Sequence, residues 1–383
     1  MTASLVARRS NEILLCPGPV MLSPAVRAAL GDGEIGHRDA RFSQLMQRLR
    51  ANCRQVFRSG DEHSILFIGG PATSSIEAVC ASLLPRDAHV LVPVNGTFGA
   101  RIASILEVHG IAHTVIDCGF AQPFDLERIE AAITDCARSP VTALAMTHHE
   151  TSAGLLNPVR AVGALARRHG LTFIVDATSS AGVEDLDVTR DGIDACITAS
   201  GKCLHAPPGV GLVCVRRDLL EARALDAPRT YSLDLRRFHA QMECNGQTPF
   251  TPPVTLIAAL DRAIEELIAA GGVDERRRVY ARRRTLLAAG LRRLGLPLLS
   301  LPPGSEAQCI LTARVPEGLA FDTLYAEMKQ RGYLIYGCKA PLAPNHFQVA
   351  VMGELRDADL AGFLDALGSV LAAEPGHYQA ASG

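Results

Sequence analysis

Thr172-Phe173-Ile174-Val175-Asp176-Ala177 is followed by Ala195-Cys196-Ile197-Thr198, then by Ser200-Gly201-Lys202-Cys203 and Pro207-Pro208-Gly209, before a further apolar run, Gly211-Leu212-Val213-Cys214-Val215. Each apolar run is short, rich in β-branched residues and bounded by small or turn-forming ones, which predicts buried strands. The first run ends on a carboxylate, and the second leads into a lysine in a small, polar turn. That pair is what pyridoxal phosphate chemistry requires: the lysine holds the cofactor as a Schiff base, and the aspartate keeps the ring nitrogen protonated. Asp176 and Lys202 are therefore the predicted catalytic residues, and pyridoxal 5'-phosphate the predicted cofactor.

Upstream, the same alternation continues. Strands are predicted at 64–68, 89–94, 113–117, 142–147, 172–176, 195–198 and 211–215, with helices at 74–84, 99–109, 125–137 and 158–169 between them. Strand, helix, strand with this spacing implies crossover connections and a mostly parallel sheet, whose ligand sites lie at the carboxyl ends of its strands. The expected fold is α/β, a seven-stranded sheet flanked by helices. Beyond Pro252-Pro253, helices at 256–267, 276–294, 321–331 and 357–371 and strands at 309–314 and 347–351 suggest a smaller α+β domain. The expected division is an N-terminal arm at 1–20, a large domain at 21–255 and a small one at 256–383. The arginines at 276–278 and 282–284 are read as a solvated helix face, and the tail at 374–383 as loosely ordered.

Composition excludes several function classes. The chain has 383 residues, 48% hydrophobic and 20% charged, with 40 acidic against 38 basic side chains and a formal net charge of −2. No net field recruits nucleic acid or an anionic membrane, so the expected partner is a small molecule. The N-terminus lacks a secretory pattern, and no segment approaches the roughly 18 apolar residues of a membrane span. Eleven cysteines without zinc-type spacing fit a reduced, cytoplasmic protein better than a disulfide scaffold, and no metal is expected.

Three further loops follow predicted strands. In Gly69-Gly70-Pro71-Ala72-Thr73-Ser74 a glycine-rich turn opens a helix, so backbone N–H groups, the helix dipole and the Thr73 and Ser74 hydroxyls suit a phosphate. In Val94-Asn95-Gly96-Thr97-Phe98-Gly99-Ala100-Arg101 the ring of Phe98 is flanked by glycines, and either packs in the core or lies against a cofactor ring. In His148-His149-Glu150-Thr151-Ser152-Ala153-Gly154 a hydroxyl of Thr151 or Ser152 suits the cofactor's phenolic oxygen, and His149 or Glu150 the substrate cleft. Adjacent histidines in a strand-end loop do not face one metal site.

Taken together, Gly70-Pro71-Ala72-Thr73, Asn95-Gly96-Thr97-Phe98-Gly99, Glu150-Thr151-Ser152-Ala153-Gly154, Val175-Asp176-Ala177 and Ser200-Gly201-Lys202 resemble the fold-type I, class V aminotransferases. Within that group the chain is most similar to 2-aminoethylphosphonate:pyruvate transaminases and their alanine:glyoxylate relatives, through phrases such as Leu156-Asn157-Pro158, Ser232-Leu233-Asp234-Leu235 and Phe250-Thr251-Pro252. The resemblance implies that Lys202 carries the cofactor, Asp176 pairs with its ring nitrogen and Phe98 stacks on the ring. It also implies that Ala72 and Thr73 hold the phosphate, that Ser152 sits by the phenolic oxygen, and that Thr251 reaches the phosphate in a neighbouring subunit. The implied assembly is a homodimer with shared active sites, working on an amino donor and an oxo-acid acceptor.

Two departures from the family pattern bear on substrate. Gly201 stands where an Asn or Gln usually contacts the phosphate, and Gln348, in Phe347-Gln348-Val349-Ala350, stands where an arginine usually clamps the substrate's acid group. Gln348 cannot form a charge-assisted pair. Arg38 and Lys339 are the candidate replacements. A lyase or decarboxylase on the same scaffold is the alternative that Gln348 raises.

Overall fold

The computed structural model describes residues 12–135, 140–222 and 226–373. In chain order these form β1 (Ile13–Leu14), α1 (Pro24–Ala28), α2 (Ala40–Phe57), β2 (His63–Gly69), α3 (Ala72–Leu83), β3 (His89–Val94), α4 (Thr97–Val108), β4 (Ala112–Asp117) and α5 (Leu126–Asp135). Next come β5 (Ala143–Thr147), the hairpin of β6 (His149–Glu150) and β7 (Leu155–Leu156), α6 (Val159–Arg168), β8 (Thr172–Asp176), β9 (Ala195–Ala199) and β10 (Val210–Arg216). Four helices follow: α7 (Arg217–Ala222), α8 (Leu235–Asn245), α9 (Val254–Ala269) and α10 (Gly272–Arg293). The chain then runs through β11 (Ile310–Arg314), α11 (Phe321–Gln330), β12 (Tyr333–Leu334), β13 (Tyr336–Gly337), β14 (His346–Ala350) and α12 (Asp357–Ala373). The expected tail at 374–383 and the end of the 125–137 helix lie outside the described residues.

All seven expected strands join one sheet, in the order β2-β10-β9-β8-β5-β3-β4. The pairs from β4 across to β9 are parallel, while β10 runs antiparallel to both β9 and β2. Runs such as β5 and β8 are apolar because both faces of the sheet are covered. Strand alternation sorts the side chains between two layers. Phe173 and Val175 enter one core with residues of α2, α6 and α9, and Ile174 enters another with residues of α3 and α4. Asp176 shares the face of Ile174, so the period of the strand points it toward the layer that holds the starts of α3 and α4.

A further core is built from α10, α11, α12 and the three-stranded sheet β11-β14-β13. Leu15 and Val20 join it, and the backbone from Ile13 to Met21 bonds to Gly332, Leu334, Ala350 and Glu354. The start of the described chain is thus held by residues from its other end. The basic helix departs from expectation. Arg276 and Arg283 lie seven residues apart on one face of α10, and that face is packed inward: Arg276 Nη1 donates to the Cys203 carbonyl at 2.7 Å, and Arg283 Nη1 to the Gly353 carbonyl at 3.3 Å. No helix among the described residues is long and apolar enough to cross a membrane.

Candidate active site

The carboxyl ends of β2, β3, β8 and β9 converge on a cavity of about 300 Å³. Its wall contains Ala72, Thr73, Phe98, Arg101, His149, Thr151, Asp176, Gly201 and Lys202, together with Gly18 and Pro19 from the N-terminal segment. Five of the residues singled out from the sequence, Ala72, Thr73, Phe98, Asp176 and Lys202, therefore share one cavity.

Lys202 sits in the connection between β9 and β10. Because these strands are antiparallel neighbours, the connection starts and ends at the same edge and is braced internally. Ser200 Oγ donates to the Pro207 carbonyl at 2.5 Å, and Gly70 N donates to the Gly209 carbonyl at 2.8 Å, tying the lysine turn to the loop before α3. The lysine amine donates to the Pro17 carbonyl. Gly18, at φ +108°, holds a backbone conformation that side-chain-bearing residues rarely adopt, and a Cβ there would stand 2.8 Å from Lys202 Nζ and displace the lysine's end. Burial lowers the Lys202 pKa from its usual value, against the opposing pull of nearby thiols and of Asp176 once ionised, and this favours the neutral, nucleophilic amine.

Asp176 is 4% exposed, and its Oδ1 accepts from Thr178 N at 3.0 Å and from the Thr178 hydroxyl. Burial pushes its carboxyl pKa up, opposed by those two bonds and by the positive charges of Arg101 and Lys202. A buried carboxylate of this kind gains most from a cationic partner placed against it.

The start of α3 has Pro71 at its N-cap and no side-chain cap, so its dipole faces the cavity beside the Thr73 hydroxyl. α4 is organised differently. Glu150, fully buried, accepts from Phe98 N at 3.0 Å and Gly99 N at 3.1 Å, which anchors the first turn and sets the Phe98 ring on the wall. Ser152 belongs to this capping arrangement: its hydroxyl accepts from Thr97 N at 3.2 Å and donates to Glu150. It is absent from the cavity wall, where Thr151 stands instead. Of the two residues weighed from the sequence, Thr151 is the one on the cavity wall, its hydroxyl donating to the His149 carbonyl at 3.2 Å, while the Ser152 hydroxyl is engaged with Thr97 and Glu150.

His149 also lines the cavity, while Glu150 does not. The His149 Nδ1 lies 3.1 Å from the Ser179 carbonyl, an acceptor only, so the neutral ring carries its proton on Nδ1, and Nε2 is left without a partner. Burial, reinforced by the charge of Lys202, lowers the His149 pKa to about 4 from 6.5. The unfolded chain takes up this proton below about pH 6.5 while the fold holds it off until about pH 4, so this group's stabilising contribution is lost as pH falls through that window. His149→Asn should therefore flatten the acid side of the apo-protein's stability curve, by at most about 1.4 kcal/mol per pH unit. Urea midpoints of wild type and variant at pH 6.5 and 5 check this, and equal slopes would rule out a buried neutral ring.

The three residues considered for acid recognition lie off the wall. Gln348, 3% exposed, donates through Nε2 to the Thr151 carbonyl at 2.7 Å and to Thr312 Oγ1 at 3.3 Å. Arg38 donates to the Thr248 carbonyl at 2.7 Å, to Gln247 Oε1 and to the Pro249 carbonyl. Lys339 is exposed. In this structure the glutamine at 348 steadies Thr151 from behind, and Arg38 fastens the loop before Thr251. Thr251 is itself exposed, 3.5 Å from His37 Nε2, and outside this cavity. Among the described residues, the cations on the wall are Lys202 and Arg101. The sequence reading does not single out Arg101, although its spacing of three from Phe98 on a helix start was the available signal.

Pyridoxal phosphate needs a lysine, a carboxylate for its ring nitrogen, a flat apolar surface and an anion cradle. One cavity offers all four, and the unpartnered Nε2 of His149 and uncapped α3 start add polar groups awaiting a ligand. The group fits.

Comparison with known proteins bears on the same question. A family profile described as "Aminotransferase class-V" matches residues 26–327. The 2-aminoethylphosphonate–pyruvate transaminase of Burkholderia mallei (strain SAVP1) is 38% identical over 363 residues, covering 94% of this chain and 97% of that protein. Among solved structures, ureidoglycine–glyoxylate aminotransferase from Bacillus subtilis superposes with a TM-score of 0.90 at 26% identity, covering 99% of this chain and 97% of that one. Alanine–glyoxylate aminotransferase from Nostoc sp. shares the fold, with a TM-score of 0.90 at 24% identity over 97% and 98% of the two chains.

Proposed function

From the chain's membership of the class V aminotransferases, the family to which it belongs, we propose that it moves an amino group from a small amino compound to a 2-oxo acid. The first candidates are 2-aminoethylphosphonate as donor and pyruvate as acceptor, the pair named for the 38% identical relative. The observation that carries this reading is the placement of Lys202, Asp176, Phe98 and Thr73 on one cavity wall.

Bound pyridoxal phosphate supplies a cationic ring that accepts the electron pair left on the substrate carbon. The chain's own residues do the rest. Lys202 Nζ would hold the cofactor and, when freed, would take the proton from the substrate carbon and deliver it to the cofactor carbon that receives the amino group. The Asp176 carboxylate holds the ring nitrogen's proton. Phe98 would lie against the cofactor ring, the start of α3 with Thr73 would hold the phosphate, and Thr151, on the cavity wall, would stand near the phenolic oxygen. Gly18 and Pro19, over the lysine, exclude water from the reacting atoms.

The exposed position of Thr251, on a loop that Arg38 fastens, supports a homodimer in which each subunit lends this threonine to the other's phosphate site. The reduced cysteines support a cytoplasmic setting. Loaded enzyme mixed with 2-aminoethylphosphonate alone should convert to the pyridoxamine form, and pyruvate should restore it. Product formation that needs no oxo acid would overturn the transaminase reading, and conversion by other small amines only would overturn the donor.

A further inference from the structure

Gly201 raises the question of what replaces the missing phosphate contact. A side chain cannot return there: a Cβ at 201 would lie 2.8 Å from Pro208 Cβ and 2.9 Å from its Cα, both parts of a rigid ring in the Pro207-Pro208-Gly209 turn. The lysine turn therefore supplies no side-chain donor from position 201. A side-chain donor must come from another element.

Arg101 is that element's cation. It rises from α4 one turn after Phe98, lines the cavity, and carries its Cζ 4.7 Å from the Phe98 ring centroid. Its Nη1 stands 3.4 Å from Thr73 Oγ1, beside the uncapped start of α3. The guanidinium thus sits where the helix dipole, a threonine hydroxyl and an aromatic face already meet. Asp176 is the one carboxylate among the described wall residues, feeling the charges of both Arg101 and Lys202, and it makes no ion pair with Arg101. No carboxylate is recorded within ion-pair distance of it among the described residues.

We propose that Arg101 is the phosphate-binding cation of this site, doing with a charged, planar donor set what a neutral side chain at position 201 does in the family pattern. The proposal rests on the reading that Lys202 and Asp176 hold pyridoxal phosphate. A guanidinium can give two parallel N–H donors to a phosphate, and held against the Phe98 ring it is already oriented. The consequence is a selective one: Arg101 matters for the phosphate of the cofactor and not for its ring.

The test compares two ligands on apo-protein, pyridoxal 5'-phosphate and pyridoxal, by titration of the visible absorbance and of intrinsic fluorescence quenching. Arg101→Gln should raise the Kd for pyridoxal phosphate about 10- to 100-fold and leave that for pyridoxal within about twofold. Arg101→Lys, which keeps the charge and loses the fork, should fall between, and it guards against a variant that merely misfolds. Inorganic phosphate should compete with pyridoxal phosphate less well in the glutamine variant than in wild type. Equal loss for the two ligands would assign Arg101 to the ring and overturn the proposal, as would unchanged binding of both with a raised KM for the acid substrate. Wild-type protein that binds neither ligand would instead overturn the reading beneath it.

Discussion

Replacing Lys202 by alanine should abolish the visible absorption of the cofactor-loaded protein and lower turnover on the order of 10³-fold or more. The residue does two things at one atom: Nζ attaches the cofactor and then carries the proton at the substrate carbon. Neither function has an understudy. His149 lines the same cavity, but its protonated nitrogen faces Ser179, and its pKa, lowered to about 4, makes it a weak base. The turn that carries Lys202 is held by Ser200, Pro207 and Gly209 rather than by the lysine itself, so the apo-variant should keep its circular dichroism and a cooperative melt. A visible band that survives in the folded variant would move the attachment point elsewhere.

The second large effect is at Asp176. In Asp176→Asn the new carboxamide oxygen still accepts from Thr178 N and Oγ1, so the local backbone has no reason to move. What disappears is the negative charge opposite the ring nitrogen, and turnover should fall on the order of 10²- to 10³-fold, as for loss of one preorganised electrostatic partner. Stability should move the other way. The carboxyl pKa is raised in the fold, so the folded chain holds that proton more tightly than the unfolded one, and stability is lost as pH rises through the folded pKa. At neutral pH the apo-protein therefore carries the cost of a buried charge that asparagine removes. Apo Asp176→Asn should melt above apo wild type at pH 7 while the loaded variant loses activity; a variant that is less stable and equally active would show that the carboxylate serves the fold.

The central strands of the sheet were readable because a strand covered on both faces cannot hide its composition: Ala143 to Met146 in β5 and Phe173 to Val175 in β8 are apolar throughout, while the edge strand β4 is partly exposed. Their ends carry the site, so Asp176, Lys202, Ala72, Thr73 and Phe98 were readable too. α2 was not among the expected elements, although Asp39 caps it and Phe42, Leu45, Met46, Leu49 and Cys53 follow helical spacing; its polar background dilutes the pattern. Choices that depend on tertiary packing escape a linear reading. Thr151 and Ser152 are neighbours, and only the hairpin geometry decides which faces the cavity. Arg276 and Arg283 sit in a run of arginines whose helical face happens to meet the Cys203 and Gly353 carbonyls. Gln348 shows the same limit: its alignment with an acid-binding arginine suggests a cavity position, yet its amide is spent on Thr151 and Thr312.

The cavity wall draws on residues attached to two different cores. Residues 13–21 begin the chain but are fastened to its far end, with Ile13 N bonded to the Gly332 carbonyl, Ala350 N to the Leu15 carbonyl and Glu354 N to the Met21 carbonyl. Ser23, two residues on, is fastened to the other body through Glu266 of α9 at 3.0 Å. Leu22 lies between the two attachments and packs against both cores. The lysine turn is itself joined to the second core, through Arg276 Nη1 on the Cys203 carbonyl at 2.7 Å, so Lys202, Gly18 and Pro19 lie together at the seam between the two cores. The fastening of residues 13–21 and the closure of the cavity are therefore one feature: the contacts that hold the first described residues to the far end of the chain also set Gly18 and Pro19 over Lys202.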